Sequence, residues 1–308
     1  MRISEEKKGY ALIFLAGALW GTIGLFVKLL ISTGAGSGII SFCRMLFAFI
    51  LILAFGLLKK GPAVLKIGKR TLVSCIFMAL FCQALYNLAY TEAIDNLGMA
   101  MGAVLLYTAP VFTAVFALLI FRERFTAVKS IALAVNIAGC TLAVTGGNFG
   151  DTVFSFYGVC MGLAAAVMYS LSAIIGRFAA EDGDPVTVAV YVFLFASVFA
   201  GVFTKPWRYM AELTDMKFLL FAVLYALIPT VAAYLIYYKG LGMVTESSRV
   251  PVFASVETVV AAVLGAAVFS EEMNIIKGAG IALVMISIYI MNIKHSVNSV
   301  NRDGSRCQ

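Results

Sequence analysis

The sequence predicts an all-α integral membrane protein whose ten transmembrane helices form two inverted five-helix repeats. Three observations carry that expectation. Of 308 residues, 62% are hydrophobic and 13% charged, with a mean hydropathy of +0.99, whereas a water-soluble domain is about half apolar and a quarter charged. The apolar residues fall in blocks of roughly twenty, the length at which a helix crosses about 30 Å of hydrocarbon. The second half of the chain also echoes the first at one constant offset. The same composition excludes a disordered chain, and the alternating segments of about ten residues expected of a membrane β-barrel are absent.

The first apolar run begins at Tyr10, behind Arg2, Lys7 and Lys8, and Ala16-Gly17-Ala18 imitates a leader-peptide cleavage site. The run continues unbroken to Ile31, too long for a leader, so an uncleaved span over 10–31 is expected. Ser32-Thr33-Gly34 with Gly36 separates it from a span over 37–58, which Lys59-Lys60-Gly61-Pro62 closes. Spans over 71–91 and 98–121 follow, the latter ending at Arg122-Glu123-Arg124, and one over 126–146 ends at Gly146-Gly147-Asn148. The second half supplies spans over 156–178, 186–204, 217–239, 248–269 and 275–293, with Asp182-Gly183-Asp184-Pro185 between the first two. Every linker is short. The expected organisation is a first repeat over 1–150, a second over 151–295 and a short tail over 296–308.

The repeat is read from matching residues. Leu118-Leu119-Ile120-Phe121-Arg122-Glu123 is echoed by Ala266-Ala267-Val268-Phe269-Ser270-Glu271, which sets the offset at 148 residues. At that offset Tyr86 meets Tyr234, Tyr90 meets Tyr238 and Lys129 meets Lys277. Five spans is an odd number, so the second copy enters the membrane upside down and its loops should shed basic residues. Arg122 and Arg124 accordingly become Ser270 and Glu272. In the first half one set of segments holds Arg2, Lys7, Lys8, Lys59, Lys60, Lys66, Lys69, Arg70, Arg122, Arg124 and Lys129, and the other only Lys28. The second half is less polarised. Both termini are expected in the cytoplasm of a bacterial cell. The net charge of +7 is therefore read as membrane orientation rather than nucleic-acid binding, with the lipid bilayer as the partner. Six cysteines without a CxxC pair support neither a disulfide framework nor a zinc site.

Trp20-Gly21, Phe42-Cys43-Arg44, the stretch from Tyr107-Thr108-Ala109-Pro110 to Phe121-Arg122-Glu123, Val256-Glu257-Thr258-Val259 and Phe269-Ser270-Glu271 together resemble the drug/metabolite transporter superfamily. The similarity is to its ten-span members built of two EamA domains, and it covers nearly the whole chain. It implies transport of a small molecule. Proline is common in that family where Thr258 stands, so span 9 is expected to be straighter here.

Inverted-repeat transporters bind near the bilayer midplane, where an ionisable residue is expensive and therefore a functional candidate. Glu257, well inside span 9, is the sharpest: a proton or cation site, or else a protonated carboxyl bonded to a neighbouring helix. Arg44 in span 2 either reaches the headgroups, forms a structural ion pair or meets a substrate carboxylate. Gln83, Tyr86, Asn87 and Tyr90 share one helix face, and span 8 answers with Tyr234, Tyr237 and Tyr238. Trp20, Tyr107 and Tyr169 are candidates to join them. Aromatic residues also form belts at membrane interfaces, the reading that suits Tyr90 and Tyr238 near span ends. The expected substrate-binding set is thus Trp20, Gln83, Tyr86, Asn87, Tyr107, Tyr169, Tyr234 and Glu257, with Glu257 and Arg44 as coupling or ion-pair residues. Glu123 and Glu271 read as helix-terminus or gate-network residues. The glycine pairs Gly17/Gly21, Gly98/Gly102 and Gly158/Gly162 permit close helix contact, and Pro110, Pro229 and Pro251 bend helices and free carbonyls.

No catalytic residue, metal ligand or cofactor is expected. His295 is the one histidine, and neither an HExxH nor a G-x-S-x-G spacing is present. A Walker A motif is lacking too. The expectation is a secondary transporter working by alternating access, proton-coupled or exchanging, for a small amphiphilic amino acid or amine. The alternative is export of cationic drug-like or quaternary ammonium compounds, and the remote one an intramembrane enzyme. The oligomeric state is left open.

Overall fold

The computed structural model describes residues 2–97, 99–123, 126–148, 155–208, 215–270 and 272–304, with side chains over the same residues except 2–4, 99–100, 181–182 and 293–304. All regular elements among them are helical. Ten runs are long and apolar enough to cross a membrane. The first half holds Glu5–Ile31, Ser37–Leu65, Lys69–Leu97, Met101–Phe121 and Ala127–Thr145, here spans 1 to 5. The second holds Phe156–Ala180, Pro185–Thr204, Met216–Leu241, Ser247–Phe269 and Ile275–Asn292, spans 6 to 10. An even number of crossings puts both termini on one face, called here the terminal face. Gly98, Arg124 and Glu271 lie outside the described residues.

Local chemistry sets the ends. Ser155, Asp184 and Asp215 each accept a backbone N–H of the first turn that follows them, filling donors a helix start leaves unpaired. Spans 4 and 9 stop in the same way, with Arg122 and Ser270 both at φ 53°, a left-handed C-cap. They are matched positions of the two repeats.

The packing has the symmetry of an inverted pair. Span 5 lies along span 10 and span 2 along span 7; span 3 packs on span 6 as span 1 packs on span 8. Span 4 meets span 6 as span 9 meets span 1. Exchanging the halves maps each contact onto another. Lipid offers helices no hydrophobic reward for associating, so small residues that let backbones approach do the work. A Cβ on Gly280 would stand 2.2 Å from the Ala143 nitrogen, and one on Gly139 2.7 Å from the Val284 nitrogen. Gly17 and Gly21 set span 1 equally close to the backbone of Ala254 and Glu257 in span 9.

Five spans are irregular at mid-length. Span 1 breaks between Trp20 and Ile23, span 4 between Leu106 and Ala109, and span 9 at Ser255 between Ala254 and Val256. Spans 3 and 8 instead wind into π-helix over Met78–Leu85 and Leu227–Ala232. The second pair and the breaks of spans 4 and 9 fall at matched positions. At each break a hydroxyl turns back on the carbonyl three residues earlier: Thr22 on Leu19, Thr108 on Leu105 and Ser255 on Val252, at 2.6–2.7 Å. Span 9 is thus interrupted, against the expectation of a straighter helix. Asn136 of span 5 donates to Ser255 Oγ at 2.6 Å and draws that turn sideways without a proline at Thr258.

Candidate functional site

The irregular segments surround one cavity of about 450 Å³ between the two halves. It reaches from Tyr169 and Tyr107 at mid-depth to Ile31 and Ser37, at the end away from the termini, both of them exposed. Spans 1, 2, 3, 4, 6, 8 and 9 line it. A π-turn or a break leaves backbone groups without their helical partners and brings side chains out of the usual register, which is why polar residues concentrate here.

Span 8 shows the causal chain in full. Pro229 has no N–H to give the Tyr225 carbonyl four residues back. Thr230 Oγ1 donates to that carbonyl instead, at 3.1 Å. The same hydroxyl accepts Arg44 Nε at 3.0 Å, while Arg44 Nη1 donates to the Tyr225 phenol at 3.2 Å. The guanidinium also lies over the Tyr225 ring, 5.0 Å from its centre. One proline therefore recruits a hydroxyl and an aromatic ring to hold an arginine in mid-membrane. Arg44 neither forms an ion pair nor reaches the headgroups: among the described residues no carboxylate oxygen lies within 4.0 Å of it, and it lines the cavity.

Span 3 answers from across the cavity. Gln83 Nε2 donates to Tyr234 OH at 2.7 Å, and Asn87 Nδ2 donates to the Gln83 carbonyl. Tyr86 stacks on Tyr90 at 5.9 Å and tilts against Tyr169 at 5.5 Å. Trp20 meets Tyr234 edge-on at 5.2 Å and Tyr237 at 5.0 Å, and its buried indole nitrogen has no hydrogen-bond partner. Glu257 stands two residues beyond the Ser255 break, on the cavity wall. Among the described residues its carboxyl has neither an ion-pair partner nor a hydrogen bond.

Trp20, Gln83, Tyr86, Asn87, Tyr107, Tyr169, Tyr234, Glu257 and Arg44 all line this one cavity. Tyr90 lines it as well, and Tyr238 is fully buried among Tyr234 and Tyr237. Neither sits in an interfacial belt. Span 3 runs on to Leu97, which leaves Tyr90 two turns from its end, and Tyr238 faces the inside of the bundle. Sequence reasoning missed Tyr225, Thr230 and Ser41. The first two had a signal, since Pro229 leaves unpaired the carbonyl of Tyr225 and Thr230 follows it directly. No group of three or more His, Cys, Asp or Glu suited to a metal ion occurs among the described residues.

The family model described as EamA-like transporter family matches residues 7–145 and again 156–293. An uncharacterized transporter of Archaeoglobus fulgidus is 25% identical, the match covering 92% of this chain and 96% of that one. The uncharacterized transporter YwfM of Bacillus subtilis is 24% identical over 70% of this chain and 72% of its own length. The uncharacterized inner membrane transporter YedA of Escherichia coli is 22% identical over 95% and 93%. One crystal structure of a protein shares the fold at a TM-score of 0.75, with 17% identity, 94% of this chain covered and 98% of that one.

Proposed function

The chain belongs to the EamA-like transporter family, and on that premise we propose that it is a secondary transporter that moves a small amino acid by alternating access. One observation carries this reading. Arg44 and Glu257 face the same cavity, each without a partner of opposite charge among the described residues. An isolated charge in a low-dielectric site is expensive and draws a counter-charge. A molecule with a carboxylate for Arg44 and an ammonium for Glu257 satisfies both at once, while a simple amine leaves the guanidinium unmatched. The tyrosines suit the ammonium end, by cation–π attraction of about 0.5–2 kcal/mol per ring, and an apolar side chain besides.

The tyrosine faces also favour a second reading, export of quaternary ammonium or other cationic compounds, in which Arg44 acts only through Tyr225 and Thr230. With the basic segments of the first half inside, the termini are cytoplasmic and the cavity faces outward. Counterflow in proteoliposomes decides between the readings. Exchange of labelled neutral amino acids, and little exchange of their amides or of tetraalkylammonium ions, supports the first. The reverse order supports the second. No exchange across amino acids, amines, quaternary ammonium compounds and nucleosides refutes transport.

A further inference from the structure

Where the cavity ends towards the terminal face, the two halves are joined by a buried polar network. Its centre is Glu123, just beyond the C-cap of span 4. Oε1 accepts the Ser247 backbone N–H at 2.6 Å and Arg177 Nη1 at 3.2 Å. Oε2 accepts the Ser248 N–H at 3.1 Å and its hydroxyl at 2.5 Å, with Lys129 Nζ 3.8 Å away. Lys129 continues to Ser248 Oγ at 2.9 Å and to Glu246 at 3.0 Å, and Glu246 receives Arg249 Nε at 2.6 Å. The Glu123 and Lys129 side chains are only 7% and 5% exposed. Glu123 and Lys129 belong to the first half, the others to the second, so the network spans the seam.

The sequence does not repeat all of these side chains at the opposite end. At the repeat offset Ser247, Ser248 and Arg249 correspond to Met99, Ala100 and Met101, and Arg177 to Leu29. The side-chain donors Ser248 and Arg177 are thus apolar residues there, while the backbone N–H groups and the Lys129 counterpart Lys277 are kept. Two halves related by an inverted repeat would otherwise close either end about equally well, since each closure reuses the same interface with the roles exchanged.

We propose that this network is a one-sided latch: Glu123 holds the terminal-face end shut in the substrate-free protein, and opening towards that face requires the Glu123 carboxylate to leave the Ser247 and Ser248 amides. The latch sets the resting state as the one open opposite the termini. The inner half of span 9, Val250–Ala254 with Ser247–Arg249 ahead of it, is the moving part, and the Ser255 break is its pivot. This rests on the alternating-access reading.

The test is site-directed labelling with a membrane-impermeant maleimide, in a background with the natural cysteines replaced. Ser172→Cys reports, because it lies on span 6 between Tyr169 of the cavity and Arg177 of the latch. Applied at the terminal face, the reagent should label it about tenfold faster in Glu123→Gln, the low end of what hydrogen bonds to a charged group contribute. Ser37→Cys, at the other end, should react more slowly. Should Glu123→Gln fail to fold, Ser248→Ala removes one hydroxyl and should give about threefold. Unchanged rates in a folded, monodisperse variant overturn the latch. The measurement needs no substrate, so a failure of counterflow beside an intact labelling shift falls on the transport reading alone.

Discussion

Replacing Arg44 by glutamine isolates what its charge does. A guanidinium has five N–H donors. Thr230 and Tyr225 take one each, which leaves three for a ligand. Hydrogen bonds to charged groups contribute about 1.5–3 kcal/mol apiece, and Arg offers a carboxylate two in parallel. Allowing for the carboxylate's own desolvation, about 3 kcal/mol is at stake, or roughly a hundredfold in apparent affinity. Glutamine keeps a donor near Thr230 and holds the wall in place. The assay is counterflow with an amino acid and with its amide, which has the ammonium but no carboxylate. Arg44→Gln should raise the KM of the acid about a hundredfold and move that of the amide less than threefold. An equal loss for both would mean that Arg44 only braces span 8, and the reasoning from unmatched charges would be wrong.

Four further expectations follow from the same geometry. Glu257→Gln should abolish any pH dependence of exchange, and transport with unchanged rate and unchanged pH profile removes Glu257 as a proton site. Gly280→Ala puts a methyl carbon 2.2 Å from the Ala143 nitrogen, so spans 5 and 10 must part. A loss of about 1–3 kcal/mol, seen as a lower unfolding temperature in detergent, is expected. Burial pushes the Glu246 carboxyl up, but Arg249 and Lys129 outweigh it and hold the group below the usual 4.5. Its contribution to the closed state is then complete above that value and lost only as pH falls through the lower one, so Ser172→Cys labelling, taken relative to a freely exposed cysteine because maleimide reacts with the thiolate, should stay flat from neutral pH to about 5. A rise around pH 6 would contradict this. For topology, Ser270→Cys should label from the face opposite the termini and Lys60→Cys from the terminal face.

The cavity was legible because hydrocarbon is an unforgiving solvent. A polar residue inside an apolar block has to be explained, and Gln83, Asn87, Arg44 and Glu257 stood out against their neighbours. The charges beyond the blocks carried no such contrast. Lys129, Arg177 and Arg249 read as topology signals, and their convergence on Glu123 and Glu246 depends on how five spans meet at one end. The backbone irregularities divide in the same way. Pro229 announces the π-turn of span 8, but the matching one in span 3, Met78–Leu85, contains no proline and has no such signal in the sequence. Ser255 was hidden because its break depends on a partner, Asn136, more than a hundred residues away. Tyr90 was misjudged from a span end drawn six residues too short, and Tyr238, which is near its span end as expected, because nothing in the sequence shows that it turns inward and is buried.

The close crossing of spans 5 and 10 gives the molecule a division of labour. Neither span contributes a residue to the cavity wall, and among the described residues their inward polar contacts are confined to a few positions: Lys129 in the latch, Asn136 on Ser255, Cys140 on Thr258 and the Met291 carbonyl on Arg249. Rigidity and selectivity are therefore written in separate stretches of the chain. A directed-evolution library confined to 127–145 and 275–292, with Lys129, Asn136 and Cys140 held fixed, should yield hardier variants whose substrate profile is unaltered, and those variants are the ones to carry into ligand screens.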